Sequence, residues 1–199
     1  MWVMEVNGYK IWRGANLSYA KLNGADLSKA NLEGADLYGA DLSNADVSKA
    51  NLYGATLTGA NLAYAKLIGA DLSKANLEGA NLAYAKLTRA NQNFTNLTNA
   101  NLTNANLTNA EVAKGNLSGA NLYAANLQGV YLYGATLYRA NLTNANLIGA
   151  NLSNSNLSNS NLSGATLYAA NLIGADLTGA DVSKANLSGA AMPDGTIHD

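Results

Sequence analysis

Residues 96–110 read NLTNANLTNANLTNA, the unit NLTNA three times in succession. The period is five, which matches neither the 3.6 of an amphipathic helix nor the 2 of a half-buried strand. Extending the register outward from this stretch gives 36 uninterrupted units, from Ala15 to Asp194. Leu fills 31 of the 36 central positions, with Val47, Gln92, Val112, Val182 and Met192 as the exceptions. Ala fills 31 of 36 positions two residues before the centre, replaced by Thr95, Gly115, Val130, Ser155 and Ser160. Asn or Asp stands just before the centre in 27 units, and Gly or Asn two residues after it in 22.

Ala and Leu two apart share one side of an extended chain, but the next Ala lies an odd step beyond the Leu. Both rows stay buried only if the chain bends once per unit. Gly and Asn, which tolerate positive φ, supply that bend, and Asn or Asp side chains bond nearby backbone. A chain that turns the same way every five residues winds into a coil, and stacked coils pair their backbones at about 4.8 Å. A long helix is excluded, because five residues advance roughly 140° per unit and would spread the Leu row over every side.

The units ANLSYAKLNGADLSKANLEGADL resemble the pentapeptide-repeat family, of cyanobacterial type, whose motif is Ala-Asp/Asn-Leu-X-X. The resemblance implies an all-β fold, a right-handed quadrilateral parallel β-helix with four units per coil and nine coils here. Three segments are expected: a cap at residues 1–14, the helix at 15–194 and a tail at 195–199. Asn7-Gly8 between alternating stretches predicts a hairpin within residues 2–12. A repeat array exposes apolar core at its ends, which gives such a hairpin a capping role. The sequence MPDGTIHD, with its Pro and Asp-Gly turn, stops the winding and resembles the ending of many cyanobacterial members.

Chemistry-bearing residues are sparse. Cysteine is absent, and His198, the single histidine, is expected in a disordered tail. A zinc site would need several such ligands, so neither metal nor cofactor is expected. Asp36, Asp41 and Asp46 lie in successive units and are expected to point in three directions, which excludes paired acid–base work. The NLS and NLT triplets match a glycosylation pattern but are by-products of the repeat. Net charge is −1, with 12 basic residues against 13 acidic, so bulk charge points to no nucleic-acid or acidic partner. The start has no basic segment leading into an apolar run, and no stretch is apolar enough to span a membrane. A cytoplasmic protein, monomeric or weakly associated end to end, is expected.

The function expected is a non-enzymatic scaffold for an unidentified protein partner. The alternative, which the family resemblance implies, is a regulator of DNA gyrase that imitates DNA. Imitation needs dense negative charge, and between Asn91 and Ala175 only Glu111, Lys114 and Arg139 are charged. Ice binding would need a regular Thr ladder, but the column through Thr98 reads Tyr38, Thr58, Glu78, Thr98, Ser118, Tyr138. The candidate partner-binding residues are Tyr131, Tyr133, Tyr138 and Arg139, with a second group in Tyr64 and Tyr84, because aromatics with Arg dominate binding hot spots. Gln92, in place of a core Leu, is expected to find a backbone partner or bulge outward.

Overall fold

The computed structural model describes residues 4–199. Met1 to Val3 of the expected cap lie outside the described residues. β1 (Met4–Val6) and β2 (Tyr9–Ile11) form an antiparallel hairpin with Val6 opposite Tyr9. Asn7 and Gly8 both adopt positive φ, 52° and 80°, as a two-residue hairpin turn of the type I′ class requires.

From Ala15 onward the chain winds as a right-handed quadrilateral β-helix. Each parallel bridge joins residues 20 apart, from Asn16 with Asp36 to Asn171 with Ala191. Every coil therefore has four sides. The first face carries the units centred on Leu17, Leu37 and onward, the second those on Leu22 and Leu42, the third those on Leu27 and Val47, and the fourth those on Leu32 and Leu52. Central Leu and preceding Ala side chains fill the interior from coil to coil without a break.

Backbone accounting explains each position of the repeat. The amide of Leu37 donates to Thr56 O at 2.7 Å in the next coil, and the amide of Asp36 donates to Ala15 O at 2.9 Å in the previous one. The corner closes when the Ala40 amide bonds Leu37 O at 3.0 Å. Its third residue, Gly39, has φ 60°, the left-handed value that a type II turn demands there. The amide just after each Leu is left out of this ladder. The Asn or Asp before the Leu captures it, as when Ser73 N donates to Asp71 Oδ1 at 3.0 Å or Thr103 N to Asn101 Oδ1 at 3.1 Å. That is the physical reason for the Asn and Asp preference.

Three features differ from the expectations or extend them. Gln92 neither bulges nor finds a partner: it is wholly buried, and its Oε1 and Nε2 have no hydrogen bond. The backbone of this unit stays in the ladder, with Gln92 N on Glu111 O and Thr95 N on Gln92 O, so the side chain is held inward, and the hydroxyl of Thr95 takes the second acceptor site of Leu72 O. Thr95, Ser155 and Ser160 escape that penalty because their hydroxyls donate to Leu72 O, Leu152 O and Leu157 O. At the C-terminus the chain folds back rather than trailing away. Ala191 pairs antiparallel with Ile197, and the His198 amide donates to Ala190 O at 2.9 Å. No helix among the described residues is long and apolar enough to cross a membrane.

Candidate functional site

A filled interior leaves the outer surface as the place for recognition. Most outward side chains are Asn, Ser or Thr engaged with their own coil. On the second face, Asn side chains also bond from coil to coil: Asn61 Nδ2 donates to Asp41 Oδ1 at 3.1 Å, Asn81 to Asn61 at 3.2 Å and Asn101 to Asn81 at 3.1 Å. Such a face is self-satisfied and has few groups free for a partner.

The large side chains stand out against this background. Tyr131 and Tyr133 flank Leu132 on the fourth face, stacked with ring centres 6.2 Å apart. Tyr131 replaces the usual Asn, so the amide of Tyr133 loses its side-chain acceptor and has no other partner among the described residues. Around the corner on the first face, the Arg139 guanidinium lies over the Tyr138 ring at 5.0 Å. The first tyrosine group is therefore two pairs on adjacent faces, not one cluster. The second group is brought together: Tyr64 and Tyr84 stack almost parallel, 4.9 Å apart and 2° from coplanar, at the corner between second and third faces. Both are exposed to solvent, at 56% and 47%.

Sequence reasoning overlooked what lies beside that corner. Two residues beyond each tyrosine, Lys66 and Lys86 stand on the third face, where the repeat prefers Asn. Arg89 follows at the next corner, in the column of Lys29 and Lys49. All five cations are exposed, and Ile68, 40% exposed, sits among them. The pentapeptide spacing hides this grouping. Reading the charges at the 20-residue interval of one coil exposes it.

The acidic residues do not assemble into a reactive centre. Asp36, Asp41 and Asp46 occupy the first, second and third faces, as their spacing predicts. Asp41 and Asp46 are held below the usual carboxylate range by bonds from the hydroxyl and amide of Ser43 and Ser48 respectively. Among the described residues, no group of His, Cys, Asp and Glu is placed to hold a metal ion.

Models of the pentapeptide-repeat family match in eight copies, over overlapping stretches from 13–48 to 150–189. The chain is a pentapeptide-repeat protein. It is 37% identical to HetL, described as a pentapeptide-repeat protein involved in heterocyst differentiation regulation from the cyanobacterium Nostoc sp. strain PCC 7120. That match covers 94% of this chain and 92% of HetL, with a TM-score of 0.60. A trypsin-treated form of QnrB1, a plasmid-mediated fluoroquinolone resistance protein, is 20% identical over 87% of each chain, with a TM-score of 0.61. At that identity the likeness is one of fold. No curated protein sequence matches the chain.

Proposed function

We propose that this pentapeptide-repeat protein is a non-enzymatic scaffold that acts in regulation by holding a protein partner on its outer surface. The observation that carries this reading is the division of the molecule into a solid Leu/Ala interior and a surface whose large side chains gather in tyrosine groups. Catalysis normally needs a concave pocket with convergent polar groups, whereas the inward positions of the described coils are filled by packed Leu and Ala. The likeness to HetL over nearly the whole of both chains supports a regulatory role. Imitation of DNA is disfavoured by charge, because the rod lacks a continuous acidic surface and its third face is locally basic.

Tyr131, Tyr133, Tyr138 and Arg139 form one proposed contact surface. The test is capture of partners from the source-cell lysate with the native protein and with a Tyr131→Ser, Tyr133→Ser, Tyr138→Ser variant. Loss of a captured protein, with the fold retained in a thermal melt, supports the contact role. Equal recovery with a lowered melting temperature would make these tyrosines structural. A gyrase supercoiling assay run alongside should show no inhibition.

A further inference from the structure

We propose that the third face between the first and fourth coils is a docking surface for an extended acidic protein segment. The proposal rests on the scaffold reading and gives it a partner chemistry. Lys29, Lys49, Lys66, Lys86 and Arg89 make five of the chain's twelve basic residues, while Asp26 and Asp46 are the only acidic residues in those four units. Elsewhere seven basic residues face eleven acidic ones. The near-neutral chain thus carries a cationic stripe on an otherwise acidic rod. Net charge, read from composition, hid that separation.

Few of these cations are used internally. Lys66 approaches Asp46 at 3.6 Å, and among the described residues the other four enter no salt bridge. The Lys49 chain passes over Gly69, where a Cβ would lie 3.8 Å from Lys49 Cγ, so it bridges the gap in its own column. Lys66 and Lys86 also displace the Asn that would have bonded the amides of Ile68 and Thr88. Among the described residues, neither amide has another partner.

The spacing selects the partner. Four coils span three ladder steps, about 14 Å along the rod. An extended peptide presents every second side chain, about 6.7 Å apart, so three carboxylates on one side of a strand cover the same length. The exposed Ile68 and the flat Tyr64–Tyr84 stack lie beside the stripe and offer an apolar seat for a neighbouring side chain of that segment. A nucleic-acid duplex fits less well. It carries one charge per roughly 1.7 Å, far denser than these cations, and Asp26 and Asp46 would repel it.

The test uses the full chain and a fluorescein-labelled eight-residue peptide with Glu at alternate positions and a terminal Trp. Binding is followed by anisotropy. The expected result is binding at low salt that weakens as salt rises, because screening removes exposed charge attraction. Lys66→Ala/Lys86→Ala/Arg89→Ala should weaken it about tenfold, since several exposed pairs of modest strength are lost together. Lys74→Ala/Lys114→Ala/Lys184→Ala, the same change in net charge elsewhere, should stay within about twofold of native. Tyr64→Ser/Tyr84→Ser should weaken binding without altering its salt dependence. Absence of binding, equal loss in both triple variants, or tighter binding to a DNA oligonucleotide or to phosphatidylserine vesicles would overturn the proposal. Those outcomes leave the scaffold reading to be decided by the separate Tyr131, Tyr133 and Tyr138 variant.

Discussion

At Gln92 an amide is sealed among leucines with both polar atoms unpartnered. Such burial costs on the order of 1–3 kcal/mol, so Gln92→Leu should stabilise the protein by that amount. A urea midpoint that falls in this variant would show that the amide has a compensating role. Asn81 is the opposite case. It receives the Ala83 amide, donates to Asn61 and accepts from Asn101. Asn81→Ala should cost about 1–2 kcal/mol, read by the same titration. The carboxylates define a pH response. Asp26, Asp41, Asp46, Asp176, Asp181 and Asp194 are all held below the ordinary value by bonds from the Ser or Thr two residues on. A depressed carboxylate adds stability above its unfolded pKa of about 3.9 and loses it as pH falls through the folded value. The melting temperature should therefore hold between neutrality and about pH 5 and drop below about pH 4.

The hairpin and the last coil illustrate how an element meets the end of a solenoid. Ile11 is buried against the first coil, with Val6 and Tyr9 partly so. The tip also reaches the coil's open backbone: Asn7 Nδ2 donates to Lys21 O at 3.3 Å, and the Lys21 amide donates to Tyr9 Oη at 3.2 Å. Removing residues 1–12 would uncover both apolar surface and unpaired edge, a template for pairing with another chain. The shortened protein should associate, as seen by light scattering, and melt earlier. If it stays monomeric and equally stable, the hairpin is not a cap. The final coil is less covered, with Leu177, Leu187 and Met192 half-buried and Val182 exposed. Its fold-back covers the fourth side, where Met192 N donates to Thr196 O at 2.7 Å, and reaches the preceding corner, where Gly189 N donates to His198 O at 2.8 Å. The Leu177, Val182 and Leu187 amides have no ladder partner among the described residues.

As a whole the molecule is a stack in which each coil touches only its neighbours, so stability is close to a sum over coils and their interfaces. Deleting residues 95–114 removes one complete coil and brings Phe94 to Gly115 with every face still in register. The shortened rod should fold. Its denaturant slope should fall by about one-ninth, because that slope follows the surface exposed on unfolding. Failure to fold would show that this coil is special and that the stack is not modular. Far-UV circular dichroism should show no helical signal in either protein.

The sequence by itself determined that the chain winds into a coil. A period of five, with two buried rows and a residue tolerant of positive φ in each unit, keeps Leu and Ala inside only if the chain bends once per unit. The four-sided, right-handed form was what the family resemblance implied, and the bridges between residues 20 apart bear out the four sides. Asn7-Gly8 likewise dictated its turn through local conformational preference alone. Tertiary structure decided what depends on neighbours 20 residues away in the chain. Whether Gln92 found a partner turned on what the adjoining coils placed around its inward-pointing side chain. The 20-residue step already placed Tyr138 around a corner from Tyr131 and set Tyr64 beside Tyr84 on adjacent coils, and the tertiary structure added the near-parallel geometry of that stack. The cationic stripe formed because stacking aligned Lys29, Lys49, Lys66, Lys86 and Arg89, charges whose sum with the rest of the chain is nearly zero. Composition adds charges without regard to position, and only the winding of the coil places them in space.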